Sequence, residues 1–123
     1  MERTELLKMA REYDLPELEY RLSEYWDDDE REQEELTNVQ YAIREAEWVV
    51  EDIEEDNGHC LHDEWLDAKA LLRRTKNGKV RPLDMGTWKI KEGYRDEDIE
   101  RARDIIDEPK RTKKFIRKLR RLA

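Results

Sequence analysis

The sequence predicts a mainly α-helical fold, a helical hairpin or bundle with a small extended or β-hairpin element before the C-terminal helices. Three observations predict it. Apolar residues recur at helical spacing through most of the chain. Two Asn-Gly pairs, Asn57-Gly58 and Asn77-Gly78, fall where periodic stretches end, and both residue types tolerate the left-handed backbone of a helix C-cap. Between Lys79 and Tyr94 the pattern changes: Val80, Pro82, Met85, Gly86, Trp88, Ile90 and Gly93 partly alternate with polar residues, which reads as an extended loop or a two-stranded hairpin. A chain of 123 residues fits one small helical domain over 1–123, with N-terminal helices in 1–30, a hairpin in 31–75, the extended element in 79–94 and C-terminal helices in 96–123.

Each element has its own signal. Leu6, Leu7, Met9 and Ala10 mark a short helix over residues 3–12, stopped by Asp14-Leu15-Pro16. Asp14 is placed to cap a second helix with Pro16 in its first turn. Leu18, Leu22, Tyr25 and Trp26 then form one stripe, and Asp27-Asp28-Asp29-Glu30 is a solvated junction or the acidic first turn of another helix. Residues 31–56 carry the clearest pattern: Leu36, Val39, Ile43, Ala46, Val50 and Ile53 are spaced 3, 4, 3, 4, 3. That heptad seam predicts a long helix with one partner face, roughly 36–39 Å in length. Leu61, Trp65, Ala68 and Leu72 mark the return helix over 61–75, and the short connection makes the pair a hairpin. Asp96 caps a further helix with Ile99, Ala102, Ile105 and Ile106 on its apolar face. Pro109 is expected to kink or break that helix, or to begin a separate one. The terminal stretch sets Phe115, Ile116, Leu119 and Leu122 against eight Lys and Arg.

Composition excludes several classes. Charged residues make up 47% of the chain, while Leu, Ile, Val and Phe number 25, so the core must be thin and draw on Trp, Tyr and Ala. The longest uninterrupted apolar stretches run to three residues, as at Trp48-Val49-Val50, and a membrane-spanning helix needs about 20. The residues after Met1 do not form a secretory signal, and the single cysteine, Cys60, fits a reducing, cytoplasmic setting. Ser23 is the only serine, and the four glycines form no phosphate-binding or dinucleotide fingerprint.

The net charge of −8 hides strong segregation: +1 over residues 1–11, −19 over 12–67, +7 over 68–95, −5 over 96–108 and +8 over 109–123. Seven carboxylates and no cation lie between Glu45 and Asp56, and residues 24–35 add eight more acids against Arg31. Like charges at i,i+4, as at Glu47–Glu51, repel. Relief would come from residues 109–123 folding back, from a second copy, or from an external basic surface.

Chemistry has few footholds. His59, Cys60, His62, Asp63 and Glu64 are the only ligand cluster, and no second Cys or His pair exists in the chain, whereas structural zinc takes four ligands. An ion shared between two copies is the least demanding form of such a site, and no metal or cofactor is assigned. Paired carboxylates abound, but catalysis needs one of them desolvated beside another in a cleft. The chain therefore reads as non-enzymatic.

The leading expectation is a protein-interaction module whose acidic face, Glu47, Glu51, Asp52, Glu54, Glu55 and Asp56 with Trp48 as anchor, engages a basic protein. In size and charge it is similar to the small acidic helical proteins of phages and mobile elements that mimic nucleic acid and block defence nucleases. The alternative is a small nucleic-acid-binding regulator using Arg73, Arg74, Lys76, Lys79 and Arg81 together with Lys110, Arg111, Lys113, Lys114, Arg117, Lys118, Arg120 and Arg121. Trp88 beside Lys89 and Lys91 would suit base stacking. The basic terminal helix would also suit an anionic membrane surface or a calmodulin-like groove if its apolar side were free, although no membrane partner is expected. A structural or assembly subunit, including a homodimer, is the weaker option.

Overall fold

The computed structural model describes residues 1–73, 75–76, 79–80 and 96–123. Among these, six helices follow one another: α1 (Arg3–Glu12), α2 (Pro16–Glu24), α3 (Asp28–Gln33), α4 (Asn38–Glu54), α5 (Cys60–Arg73) and α6 (Asp96–Leu122). The fold is mainly helical, as the periodicity predicts. Two short segments, β1 (Thr75–Lys76) and β2 (Lys79–Val80), pair antiparallel. They do not support the small β-hairpin expected over 79–94, because Lys79–Val80 pairs backwards across residues 77–78 rather than forwards. Residues 81–95, with Pro82, Trp88, Lys89 and Lys91, lie outside the described residues.

The helix boundaries follow local chemistry. In α1, Tyr13 closes the last turn and Asp14 adopts φ 57°. The Asp14 N–H donates to Arg11 O and the Leu15 N–H to Ala10 O, both at 3.0 Å. This is a Schellman closure, normally built on glycine. Asp14 thus ends α1 rather than capping α2, whose N-cap is Leu15 with no side-chain bond and Pro16 following it. Glu35 repeats the arrangement after α3 with φ 56°, its own N–H on Glu32 O and the Leu36 N–H on Arg31 O. Asp27 caps α3 by accepting the Glu30 N–H at 3.1 Å, so the aspartate run is indeed an acidic first turn.

The long central helix is shorter than its heptad seam suggests. Thr37 and Gln40 form a reciprocal capping box, so α4 begins at Asn38 and holds 17 residues, about 26 Å at 1.5 Å per residue. Its buried apolar positions are Val39, Tyr41, Ala42, Ala46, Val49 and Ile53. The seam is therefore turned by one residue at two places, with Ile43 and Val50 only partly buried. Neighbours on several sides cause the difference. α4 packs against α1, α2, α5 and α6, which buries a broad arc rather than a narrow stripe.

The principal core joins Leu6 and Ala10 of α1, Leu15, Leu18 and Leu22, the apolar face of α4, and Phe115, Ile116 and Leu119 of α6. A smaller cluster joins Ala68 and Leu71 of α5 to Ala102 of α6. Alanine and Tyr41 do fill the core, but the described tryptophans stand at its margin: Trp26 and Trp65 pack against it and Trp48 is exposed. Leu66 and Leu122 are exposed too.

Pro109 neither breaks α6 nor starts a new helix, because residues 96–122 form one element with Pro109 inside it. The ring is almost fully buried. Proline's cost inside a helix is a lost hydrogen bond and a clash with the preceding turn; here docking on both sides of the proline holds the helix continuous. α5 contacts α6 before the proline, and the α1–α2–α4 core contacts it after.

Candidate functional site

At 100° per residue, the acidic stretch of α4 divides into three faces. Glu45 and Asp52, seven residues apart, point towards α2. There Arg21 donates to Glu45 Oε2 at 3.3 Å and to Asp52 Oδ2 at 2.5 Å. Glu47 and Glu54, also seven apart, point towards α6, where Arg120 meets Glu47 at 2.7 Å and Lys113 meets Glu54 at 2.5 Å. Trp48 and Glu51 are exposed on the remaining outward strip, Glu51 at the lip of the α4–α6 groove, with exposed Glu55 and Asp56 just beyond the helix. Glu47, Glu51 and Glu54 therefore do not act as one face, and Glu45, 7% exposed, is not a solvated acid. Among the described residues, Glu51, Glu55 and Asp56 make no ion pair.

The three cations of residues 12–67 act as hubs for the surrounding acids. Arg21 serves Glu45 and Asp52. Arg31 reaches Asp28 at 3.5 Å and Glu32 at 3.6 Å. Arg44 pairs with Glu34, Glu30 and Glu45. Its guanidinium also lies over the Tyr41 ring at 4.8 Å and the Trp48 ring at 4.7 Å. Trp48 is 42% exposed yet held by this cation–π stack. Near the same corner, the Trp26 N–H donates to Asp28 at 2.7 Å and holds that carboxyl below its ordinary range. Burial pushes the Tyr41 phenol up, while its oxygen accepts the Asp27 N–H and donates to Tyr25 O.

The basic run of α6 is divided in the same way. Arg111, Lys113 and Arg120 flank the buried face and are paired, Arg111 with Asp104 at 3.0 Å. Arg111 also donates to Asp14 O at 3.2 Å. Glu108, one turn earlier, accepts the Glu17 N–H at 3.2 Å. It supplies from a distant helix the N-terminal cap that α2 lacks. Burial raises the Glu108 carboxyl above its ordinary range, with that N–H pulling the other way. Lys110, Lys114, Lys118 and Arg121 are exposed on the far side, and Arg117 is exposed at the edge of the groove that α6 shares with α4. Of the other basic run, Arg73 is exposed at the end of α5, Lys76 and Lys79 enter only through backbone pairing, and Arg74 and Arg81 lie outside the described residues.

The histidines of the His59–Glu64 cluster turn to different partners. His59 Nδ1 accepts the Leu61 N–H at 3.1 Å at the start of α5. His62 is buried, and its Nδ1 donates to Ile53 O at 2.9 Å, tying α5 to α4. The two rings thus serve different environments, and among the described residues no group of three or more His, Cys, Asp or Glu is placed to hold an ion. Grooves are open to solvent. One of about 480 Å³ runs between α4 and α6, lined by Glu47, Val50, Glu51, Lys113, Ile116, Arg117 and Arg120. Another of about 420 Å³ lies beside the exposed Tyr20 and Tyr25, whose rings meet edge-on.

Sequence reasoning missed Arg21, Glu108 and Arg111 as organising residues. Only Arg21 carried a signal, as one of three cations set among 22 acids in residues 12–67. No family model matches the chain, and no curated protein or solved structure matches it either. No helix among the described residues is long and apolar enough to cross a membrane.

Proposed function

We propose that this chain is a non-enzymatic protein-interaction module that presents the outer strip of α4 to a basic partner. Trp48 is the anchor, and Glu51, Glu55 and Asp56 provide the charge. Glu47, Asp52 and Glu54 leave the proposed surface because they serve the fold. The observation that carries this reading is the state of Trp48. It is a large apolar ring, exposed but fixed by Arg44, in line with carboxylates that have no ion-pair partner among the described residues. Tryptophan is enriched at interface hot spots, and acids around it would steer a basic partner onto it. A basic surface of the required kind is what nucleic-acid-binding proteins expose, so binding would occlude that surface, as an inhibitor of a defence nuclease does.

The test is affinity capture from source-cell extract on the immobilised protein, followed by elution with duplex DNA. The expected result is a basic protein released by DNA and lost by the triple variant Trp48→Ala, Glu51→Lys, Glu55→Lys, with the variant's helical circular dichroism unchanged. A hot-spot tryptophan alone is worth about 2–4 kcal/mol, so the loss should exceed tenfold. Equal capture by the folded variant would reject the reading.

A further inference from the structure

We infer that the outward ridge of α6, formed by Lys110, Lys114, Arg117, Lys118 and Arg121, binds the phosphate backbone of nucleic acid. This surface is separate from the α4 strip and does not depend on it. Burial of Thr112, Phe115, Ile116 and Leu119 fixes the rotation of the helix. At 100° per residue the five cations then fall on the opposite arc, with Arg117 at its edge beside the α4 groove, and all five are exposed. Lys114, Arg117, Lys118 and Arg121 form no ion pair with a described residue, and Lys110 has only Asp107 at 3.9 Å. The contrast with their neighbours is informative. Arg111, Lys113 and Arg120 on the flanks each meet a carboxylate, whereas no acid occurs anywhere in residues 109–123 to serve the ridge.

Spacing and surroundings favour a polyanion. The ridge covers 11 steps of helix, about 16 Å, or one cation per about 4 Å. A nucleic-acid strand presents about one phosphate per 3.4 Å of duplex axis. Cations repeated at i,i+3 and i,i+4 repel one another until an anion is supplied. An amphipathic membrane helix would need an exposed apolar row beside the charges. Here Phe115, Ile116 and Leu119 are in the core, and Leu122 is the only exposed apolar side chain of that row. The same burial removes the apolar face that a calmodulin-like groove would grip.

Fluorescence anisotropy of labelled 20-mer duplex DNA and single-stranded RNA with the full chain tests this, from 20 to 200 mM salt. The expected log–log salt slope is about −4.5 on duplex and about −3.5 on single strands, for roughly five neutralised phosphates. The variant Lys114→Gln, Arg117→Gln, Lys118→Gln, Arg121→Gln should keep its circular dichroism, bind at least tenfold more weakly and show a slope near −1. Lys8→Gln, at an exposed site on α1, should change nothing. No binding by the wild type at 20 mM salt would overturn the inference. So would an unchanged slope in the folded quadruple variant. Preferential binding to anionic vesicles, or a doubling of mass at low salt that the quadruple variant abolishes, would assign the ridge to lipid or to a second copy and would equally overturn it.

Discussion

The acidic helix α4 and the basic half of α6 carry opposite charges, and both divide them by helix face. On α4, four of the seven carboxylates between Glu45 and Asp56 meet cations of α2, α4 or α6. On α6, the flanking Arg111, Lys113 and Arg120 meet acids while the outer ridge does not. The difference lies in what remains. α4 keeps a tryptophan and scattered acids on its outer strip, whereas α6 keeps an unbroken row of cations with no exposed aromatic. Net charge along the chain therefore overstates the charge available to a partner. Rotation about each helix axis, set by the core, decides which charges are used internally.

The largest effect should come from separating the two helices at their shared core. Phe115→Ala removes a fully buried ring that packs edge-on to Tyr13 at 5.3 Å, and should lower stability by about 3–5 kcal/mol in urea unfolding. Next is the Arg21 hub. Arg21→Ala leaves the largely buried Asp52 without its cation and Glu45 with Arg44 alone, and should cost about 2–3 kcal/mol. The pair of reversals Glu47→Lys and Glu54→Lys should cost less, about 1–2 kcal/mol in total and less in high salt, because both pairs are partly exposed.

Glu108 sharpens the comparison through pH. Glu108→Ala removes the distant cap of α2 and should cost about 1–2 kcal/mol. Glu108→Gln keeps an acceptor oxygen there. Because burial raises the folded pKa above the ordinary 4.5, the folded state binds this proton more tightly than the unfolded chain does. Its contribution is complete below the unfolded pKa and is lost as pH rises through the folded one. Stability of Glu108→Gln relative to wild type should therefore increase from pH 4 to pH 7, as read by urea midpoints. The smallest effect belongs to Glu35, whose φ of 56° is a glycine conformation. Glu35→Gly should stabilise by up to about 1 kcal/mol, measured by thermal unfolding.

Much of the helical layout was legible. α1 was readable from Leu6 and Ala10, and the return helix from Ala68 and its neighbours. The Thr37–Gln40 box was also present in the sequence, but the heptad through Leu36 drew the expected helix start to residue 31, and the box sets it at Asn38. Spacing gives the period of a buried face but not its rotation. It therefore could not decide between Ile43 and Ala42, or between Val50 and Val49, on a helix with neighbours on several sides. Pro109 was misread because its penalty is local whereas the docking that offsets it is tertiary. The pairs Arg21–Asp52 and Glu17–Glu108 lie 31 and 91 residues apart, and no local pattern marks them. Of the acidic face, neither the exposure of Trp48 nor the internal use of Glu47, Asp52 and Glu54 can be read from spacing, because both depend on the rotation of α4 in the fold.

The central claim is that the basic end of α6 folds back onto the acidic helix and is held there by Phe115, Ile116 and Leu119. Native-state hydrogen exchange measured amide by amide tests it most directly. The account predicts that amides from Lys113 to Leu119 are protected as deeply as those of Ala46 to Val49, with both sets opening together in low urea. Exchange of the α6 amides at the rate of an unstructured tail, while α4 stays protected, would contradict it.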